Sequence, residues 1–165
     1  MKLTPATRKD ARTIRELYRS VLGTEGCTWN EVYPGDLELF GDLGEGRLLI
    51  WGDESRMIGA VSLVEPRELD EFECLHPVAD ACEFARVGIS PAMQGRGEAG
   101  KMLTAFLQLM KDRGFGSVNI SVAKCNHKAR RLYEHLGFTA RGEVFLYGHD
   151  FFLMKKILRK PGGEL

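Results

Sequence analysis

Apolar residues along this chain switch between a helical and an alternating period, and the switches mark the elements. From Thr7 to Gly23, Ala11, Ile14, Leu17, Tyr18, Val21 and Leu22 fall on one helical stripe. Thr7 and Asp10 have the spacing of a capping box, so an amphipathic helix is predicted behind a short extended Lys-Leu-Thr. Cys27 to Gly46 reads as a loop followed by a short helix, with Leu37, Phe40 and Leu43 at helical spacing, Gly41 as an interruption and Gly44 and Gly46 as the end. Arg47 to Trp51 and Met57 to Val64 are β-rich and joined by Gly-Asp-Glu-Ser-Arg, the composition of a hairpin with a turn longer than two residues.

The period is lost between Glu65 and Asp80. Pro66 and Pro77 interrupt the chain there, and Glu65, Glu68, Asp70, Glu71, Glu73 and Asp80 face only Arg67 as counter-charge, which predicts an acidic loop. A strand from about Ala81 to Ser90 runs into a glycine-rich turn and then a helix carrying Met102, Leu103, Phe106, Leu107 and Met110, stopped by Gly114. Ser117 to Val122 reads as a strand and Asn126 to Leu136 as a helix closed by Gly137. Val144 to Tyr147 and Phe151 to Ile157 read as an antiparallel pair around Gly148-His149-Asp150. The order β, α, α, β, β, β, α, β, α, β, β places the chain in the α/β class, in its mixed α+β form. One β-α-β unit sits among antiparallel strands, and helices are expected on both faces of a twisted sheet. No repeat or linker-like segment divides it, so one domain over 1–160 and a loose tail over 161–165 are expected.

At 165 residues and 44% apolar the chain can fill one core. Lys plus Arg and Asp plus Glu both number 23, which removes the positive field that nucleic acid or an anionic membrane would need. Cys27, Cys74, Cys82 and Cys125 are widely spread, without a CxxC pair or a histidine at zinc spacing, so free thiols and no metal are expected. The N-terminal stretch meets charge every few residues and nothing downstream approaches a membrane span, so the expectation is an unprocessed cytoplasmic protein.

Candidate chemistry gathers in the turn from Ser90 to Gly100. Little side-chain bulk separates strand from helix there, so successive backbone N–H groups can converge on one anion, and the helix start adds its dipole. A diphosphate is the natural guest; the plainer alternative is a tight connection in which glycines only permit positive φ. Gly95-Arg96-Gly97-Glu98-Ala99-Gly100 also spells GxGxxG, the basis of an alternative reading as a nicotinamide-linked oxidoreductase. That fingerprint should follow its strand directly and meet an acidic residue about 20 positions on. Here Pro-Ala-Met-Gln intervene, and Ser-Val-Asn-Ile-Ser-Val-Ala-Lys-Cys-Asn contains no acid.

Read one position earlier, Gln94-x-x-Gly97-x-Ala99 resembles the Q/R-x-x-G-x-G/A pyrophosphate signature of the GNAT superfamily of N-acetyltransferases. The resemblance extends back through Glu83-Phe-Ala-Arg-Val-Gly-Ile-Ser-Pro91. It extends forward through Asn126-x-x-Ala129-x-x-Leu132-Tyr133-x-x-x-Gly137-Phe138, in matching order and spacing. It implies the acyl-CoA N-acyltransferase fold, a central twisted, mostly antiparallel sheet. It also implies acetyl-CoA as co-substrate, no metal, and transfer of the acetyl group to a primary amine of a small molecule or peptide. No cysteine holds a motif position, so direct attack in a ternary complex is expected rather than an acyl-enzyme.

On the same resemblance, the backbone of Gln94, Gly95, Arg96, Gly97, Glu98 and Ala99 would hold the pyrophosphate. Val87, Gly88 and Ile89 would pair with the pantetheine arm where their strand splays from the one at Ser117. Asn126 would add a hydrogen bond to that arm, although an N-cap role explains it fully. Tyr133 would be the general acid for the leaving thiolate, while its stripe with Ala129, Leu132 and Leu136 also fits a core ring. Glu83 would be the base, through water, or else a plain strand carboxylate. Two departures stand out: Ala99 replaces the commoner glycine, and Glu98 replaces an apolar residue. The Glu98 charge would repel a phosphate, so it is expected to face away. His127 and His135 lie outside the motif, and His76 and Cys74 outside the site.

The acidic stretch would border the amine entrance, which suggests a cationic acceptor such as a polyamine, an aminoglycoside or a lysine-like amine. A solvated loop is the alternative. Trp29, Tyr33 and Phe40 fall where the superfamily varies its substrate walls, though such aromatics also serve as core. A non-catalytic acyl-CoA sensor on the same fold stays open as a second function. The last strand pair, with Phe145, Phe151 and Phe152, could form a homodimer edge.

Overall fold

The computed structural model describes residues 1–159, so the tail expected at 161–165 lies outside the described residues. Seven strands and four α-helices follow one another. They are β1 (Lys2–Pro5), α1 (Ala11–Ser20), α2 (Asp36–Gly44), β2 (Leu48–Gly52), β3 (Met57–Leu63), β4 (Ala81–Ile89), α3 (Glu98–Asp112), β5 (Ser117–Ala123), α4 (His127–His135), β6 (Thr139–Leu146) and β7 (His149–Ile157). The hydrogen-bonded strand order is β1-β2-β3-β4-β5-β7-β6 in a seven-stranded sheet. β4 pairs with β5 in parallel, whereas β1–β2, β2–β3, β5–β7 and β6–β7 are antiparallel. This is the mixed, mostly antiparallel α/β arrangement expected from the element order.

The chain forms two compact units, Met1–Leu63 with Ala85–Ala105, and Val64–Phe84 with the chain from Phe106. In the first, the α1 stripe buries Ala11, Ile14, Leu17 and Tyr18 against Leu39, Leu43, Leu48 and Ala60. The Thr7 amide and hydroxyl both donate to the Asp10 carboxylate, at 2.7 and 3.0 Å, at the foot of that helix. α2 continues through Gly41 to Gly44 without the expected interruption. A single glycine costs a helix only about 1 kcal/mol, and burial of Leu39 and Leu43 on both sides of Gly41 outweighs it. The β2–β3 turn is organised by Asp53, whose Oδ1 accepts from the Ser55 and Arg56 amides at 2.9 and 3.2 Å.

In the second unit the Glu65–Asp80 segment is less polar than its composition. Leu69 and Leu75 are buried with Leu153, and Phe72, Cys74 and Val144 pack against them. A 3-10 turn spans Glu73–Leu75 within it. β6 begins at Thr139, ahead of the expected Val144; Thr139 to Glu143 are mostly exposed and give no apolar alternation to mark the strand in the sequence. The hairpin turn is Tyr147-Gly148 rather than Gly148-His149-Asp150. Both turn residues have positive φ, 52° and 78°, the pattern of a two-residue turn matched to strand twist.

Candidate functional site

The glycine turn is built entirely within the first unit. β4 ends at Ile89, and a 3-10 turn over Pro91–Met93 carries the chain to Gln94. The Gln94 side chain donates back to the Ile89 carbonyl at 3.0 Å, and its amide donates to Pro91 O at 3.3 Å, so Gln94 braces the turn. Gly95 and Gly97 then take φ of 75° and 77°, with nothing within 4 Å of where a Cβ would stand. Among the described residues, the amides of Gly95, Arg96, Gly97, Glu98, Ala99 and Gly100 reach no protein acceptor. Lys101 is the first to do so, donating to Gly97 O at 3.1 Å. A run of N–H groups without protein acceptors at the start of a 15-residue helix is an arrangement that can receive an anion.

Glu98, the acidic residue within that run, has partners of its own. Its Oε2 accepts from Trp51 Nε1 at 2.8 Å and Oε1 lies 3.6 Å from Lys101 Nζ. The Trp51 hydrogen bond, with help from Lys101, holds its carboxyl below the usual range. The carboxylate is thus engaged with β2 and with its own helix.

Upstream of the turn, Arg86 interrupts β4 with φ 52°. A non-glycine residue in the left-handed region within a strand needs an external hold. Asp42 of α2 supplies it, accepting from Arg86 Nε and Nη2 at 2.8 and 2.9 Å with both side chains nearly out of solvent. Burial by itself would lower the Arg86 pKa, but the Asp42 hydrogen bonds and charge raise it. The Tyr33 hydroxyl also accepts from Arg86, at 3.3 Å, and Arg47 approaches Asp42 at 3.6 Å. Next in β4, Val87 is half-buried and Gly88 and Ile89 are buried. A Cβ on Gly88 would touch Trp29 and Leu17 at 3.7 and 3.8 Å, while one on Gly59 of β3 would collide with Ile89. Trp29 packs edge-on against Tyr18, so it and Tyr33 have structural duties, and Phe40 remains half exposed beneath the Arg15 guanidinium.

The second unit carries the other expected residues. Tyr133 is buried in an aromatic cluster, 5.9 Å from Phe84 and 5.8 Å from Phe138 between ring centroids, and burial raises its phenol pKa. Asn126 caps α4, its Oδ1 accepting from Ala129 N–H at 3.2 Å. Glu83 is only 2% exposed, and its two oxygens accept the Glu68 and Leu69 amides at 2.8 and 2.9 Å. Burial raises its pKa, the two amides oppose that, and the Asp70 and Glu68 charges reinforce it. Cys82 beside it is pushed up to about 12 by burial and then by the Glu83 charge. The parallel ladder between β4 and β5 pairs Ala81, Cys82 and Glu83 with Ser117, Val118 and Asn119.

Two residues given no site role by sequence, Lys155 and the counter-charge Arg67, complete the support of the acidic loop. Lys155 of β7 donates to the Leu75 and His76 carbonyls at 2.6 and 3.0 Å, and burial lowers its pKa. Arg67 donates to Val78 O and Ala81 O and pairs with Asp70 at 2.8 Å. Arg67 had a signal, being the loop's one cation; Lys155, inside an apolar strand, had a weaker one. His127, His135 and His76 are exposed, and Cys74 sits against Gly142.

The acetyltransferase (GNAT) family model matches residues 12–138. Spermidine N(1)-acetyltransferase of Escherichia coli K12 is 30% identical, over 93% of this chain and 78% of that protein. Mycothiol acetyltransferase of Rhodococcus jostii RHA1 is 35% identical, over 59% of this chain and 34% of that protein. Among solved structures, the ribosomal-protein-S18-alanine N-acetyltransferase of Escherichia coli superposes with a TM-score of 0.76 at 16% identity, covering 99% of this chain and 97% of that one. A putative acetyltransferase of Salmonella typhimurium, solved with acetyl-CoA, gives 0.74 at 22% identity, with coverage of 99% and 97%.

Proposed function

Since the chain belongs to the acetyltransferase (GNAT) family and is an acetyl-CoA-dependent N-acetyltransferase, we propose that it acetylates a cationic primary amine, of the polyamine class, by direct attack in a ternary complex. The observation that carries the cofactor half of this reading is the unpaired run of amides from Gly95 to Gly100, with Glu98 drawn to Trp51. Those amides, Gly95 to Ala99 foremost, hold the pyrophosphate, and Gln94 and Arg96 frame the turn. Val87, Gly88 and Ile89 offer backbone groups to the pantetheine arm, and Asn126 uses its carboxamide N–H for the same arm while capping α4. The family match runs through both units, which supports one acetyltransferase domain over 1–160.

In the reaction the amine nitrogen attacks the thioester carbonyl. The β4 amides stabilise the resulting oxyanion, at about 2.7–4 kcal/mol per good donor. Glu83 takes the amine proton through water, and burial, which raises its pKa, makes its carboxylate a stronger base than an exposed one. As the C–S bond breaks, Tyr133 gives its proton to the thiolate, and the second N–H proton, acidic once the nitrogen is acylated, leaves the nitrogen and restores the phenol.

The acceptor class rests on the loop's charge and on the spermidine-acetylating relative. Glu65, Glu68, Glu71, Glu73 and Asp80 are exposed, whereas Arg67 is committed to carbonyls and to Asp70. A panel of spermidine, spermine, lysine and an Ala-terminated peptide, with acetyl-CoA and a thiol reagent, tests it. Faster thiol release with the polyamines is expected, and equal release with all four or release with none would overturn the polyamine assignment. All four cysteines are unpaired, which supports a reducing, cytoplasmic setting. β6 ends the strand order and Phe145 is 67% exposed, so we also propose a second copy as its cover, to be tested by sedimentation.

A further inference from the structure

Glu83, Asn119 and Lys155 are lateral neighbours on three adjacent strands, paired in register from β4 to β5 and from β5 to β7. Register partners project to the same face of a sheet, so the three form one polar row. They are 2%, 0% and 6% exposed. The Glu65–Asp80 loop covers this row, giving amides to Glu83 at one end and carbonyls to Lys155 at the other. Asn119 lies between, and neither its Nδ2 nor its Oδ1 meets a protein partner. Two residues along the same face, Ser117 Oγ is likewise without one, as is Asp70 Oδ1 on the loop.

A buried carboxamide unmatched at both ends is rare and needs a partner that can both donate and accept. Water is such a partner, and a water with two to four polar contacts is a stable part of a protein interior. Glu83 keeps acceptor capacity, because two backbone amides occupy only part of a carboxylate's lone pairs. We infer that Asn119 is a positioning residue for proton removal from the acceptor amine: its carboxamide fixes the water that links the ammonium to Glu83. This rests on Glu83 as the base. In the step, the ammonium N–H bond breaks and its proton forms a new O–H bond to the water. That water's own proton passes to a Glu83 oxygen, leaving a free amine, an unchanged water and a neutral carboxyl. Charged and titratable groups around Glu83 are Glu68 and Asp70 on the loop, Arg67 held on Asp70, Cys82 before it in β4 and Lys155 beyond Asn119.

The test is the pH dependence of kcat/KM for spermidine with acetyl-CoA, on the full chain and on Asn119→Leu, Asn119→Ala, Asn119→Ser and Glu83→Gln. Asn119→Leu and Asn119→Ala should lose about 10- to 100-fold near pH 7, below the roughly 10²–10⁴-fold of losing a positioned base outright because Glu83 itself remains. The deficit should shrink up to tenfold per pH unit toward the amine's own pKa of about 10, where free amine no longer needs the relay. Asn119→Ser, still a donor and acceptor, should recover part of the rate, and the KM for acetyl-CoA should stay unchanged throughout. If the Leu variant does not fold, Ala against Ser gives the same comparison. A deficit equal at every pH, or none, overturns the inference. Full damage in Glu83→Gln with silent Asn119 variants overturns it alone, whereas a silent Glu83→Gln overturns the base assignment as well. A high-resolution crystal structure of the full chain should show water within hydrogen-bond distance of both Asn119 and Glu83; a dry contact overturns the relay whatever the substrate.

Discussion

Replacing Asp42 by alanine should be among the most damaging changes far from any motif. Arg86 cannot discard its charge, since a guanidinium does not deprotonate in a protein, and its side chain is only 9% exposed. Removing one partner of such a pair costs about 3–5 kcal/mol, because the other charge stays buried and uncompensated. The Tyr33 hydroxyl at 3.3 Å is a neutral acceptor and recovers only part of this. For a chain of this size each kcal/mol moves the melting temperature by about 2–4 °C, so Asp42→Ala should melt roughly 6–20 °C lower. A second consequence follows from φ 52° at Arg86, a conformation that costs about 1–3 kcal/mol and relaxes once the pair is gone. The relaxation displaces Val87 to Ile89, so acetyl-CoA affinity should weaken along with stability. Arg86→Gly adopts the same φ without a Cβ penalty. It provides the control: the Asp42→Ala/Arg86→Gly double variant, which buries no unpaired charge, should be more stable than the two single changes summed. Thermal and urea unfolding give the cycle, and calorimetry with acetyl-CoA gives the affinity. A loss below about 1 kcal/mol in Asp42→Ala, or strict additivity in the cycle, refutes the reasoning.

Tyr133→Phe should lower kcat by about 10²-fold or more while leaving acetyl-CoA affinity and melting temperature near wild type, as measured by steady-state kinetics and thermal shift. Gly97→Ala meets no neighbour within 4 Å but must hold φ 77°, so a modest stability loss of about 1 kcal/mol and a larger loss of acetyl-CoA binding are expected by unfolding and calorimetry. The raised Glu83 pKa means that the folded state keeps a proton that the unfolded chain releases near pH 4.3. Its contribution is therefore lost as pH rises from about 4.3 through the folded value, and urea titrations should show that decline in the wild type relative to Glu83→Gln.

The elements legible in the sequence were those with strong local determinants. The α1 stripe with its Thr7–Asp10 contact, the Asp53 hairpin and the Asn126 cap each depend on residues within a few positions of one another. So does the glycine turn, whose conformation is set by Gly95 and Gly97 themselves. The misreadings share a cause. α2 passes Gly41 because tertiary burial outweighs propensity, and the exposed face of β6 carries no apolar alternation at Thr139 to hide or reveal. The acidic loop looked solvated because its anchors, Glu83 and Lys155, lie on strands outside it.

That division reflects how main-chain chemistry is held in place. Most of the residues expected to meet acetyl-CoA would do so through backbone groups, which any residue could supply in principle but which only a fixed conformation can aim. Conformation at β4 is fixed by Asp42, 44 positions before Arg86, and at the loop by Glu83 and Lys155, 15 and 80 positions from the groups they bind. Long-range partners of this kind have no characteristic spacing, so a motif scan passes over them. Each is a charge taken out of water, which is costly unless nearly every polar contact is met. Asp42, Glu83 and Lys155 are held against a guanidinium or backbone groups, whereas Asn119, between Glu83 and Lys155 in the strand register, and Ser117 on the same strand meet no protein partner. A carboxamide unmet at both ends beside the proposed base is a departure from that packing rule, and departures of this kind are expected at functional sites, which is why the Asn119 variants carry the test.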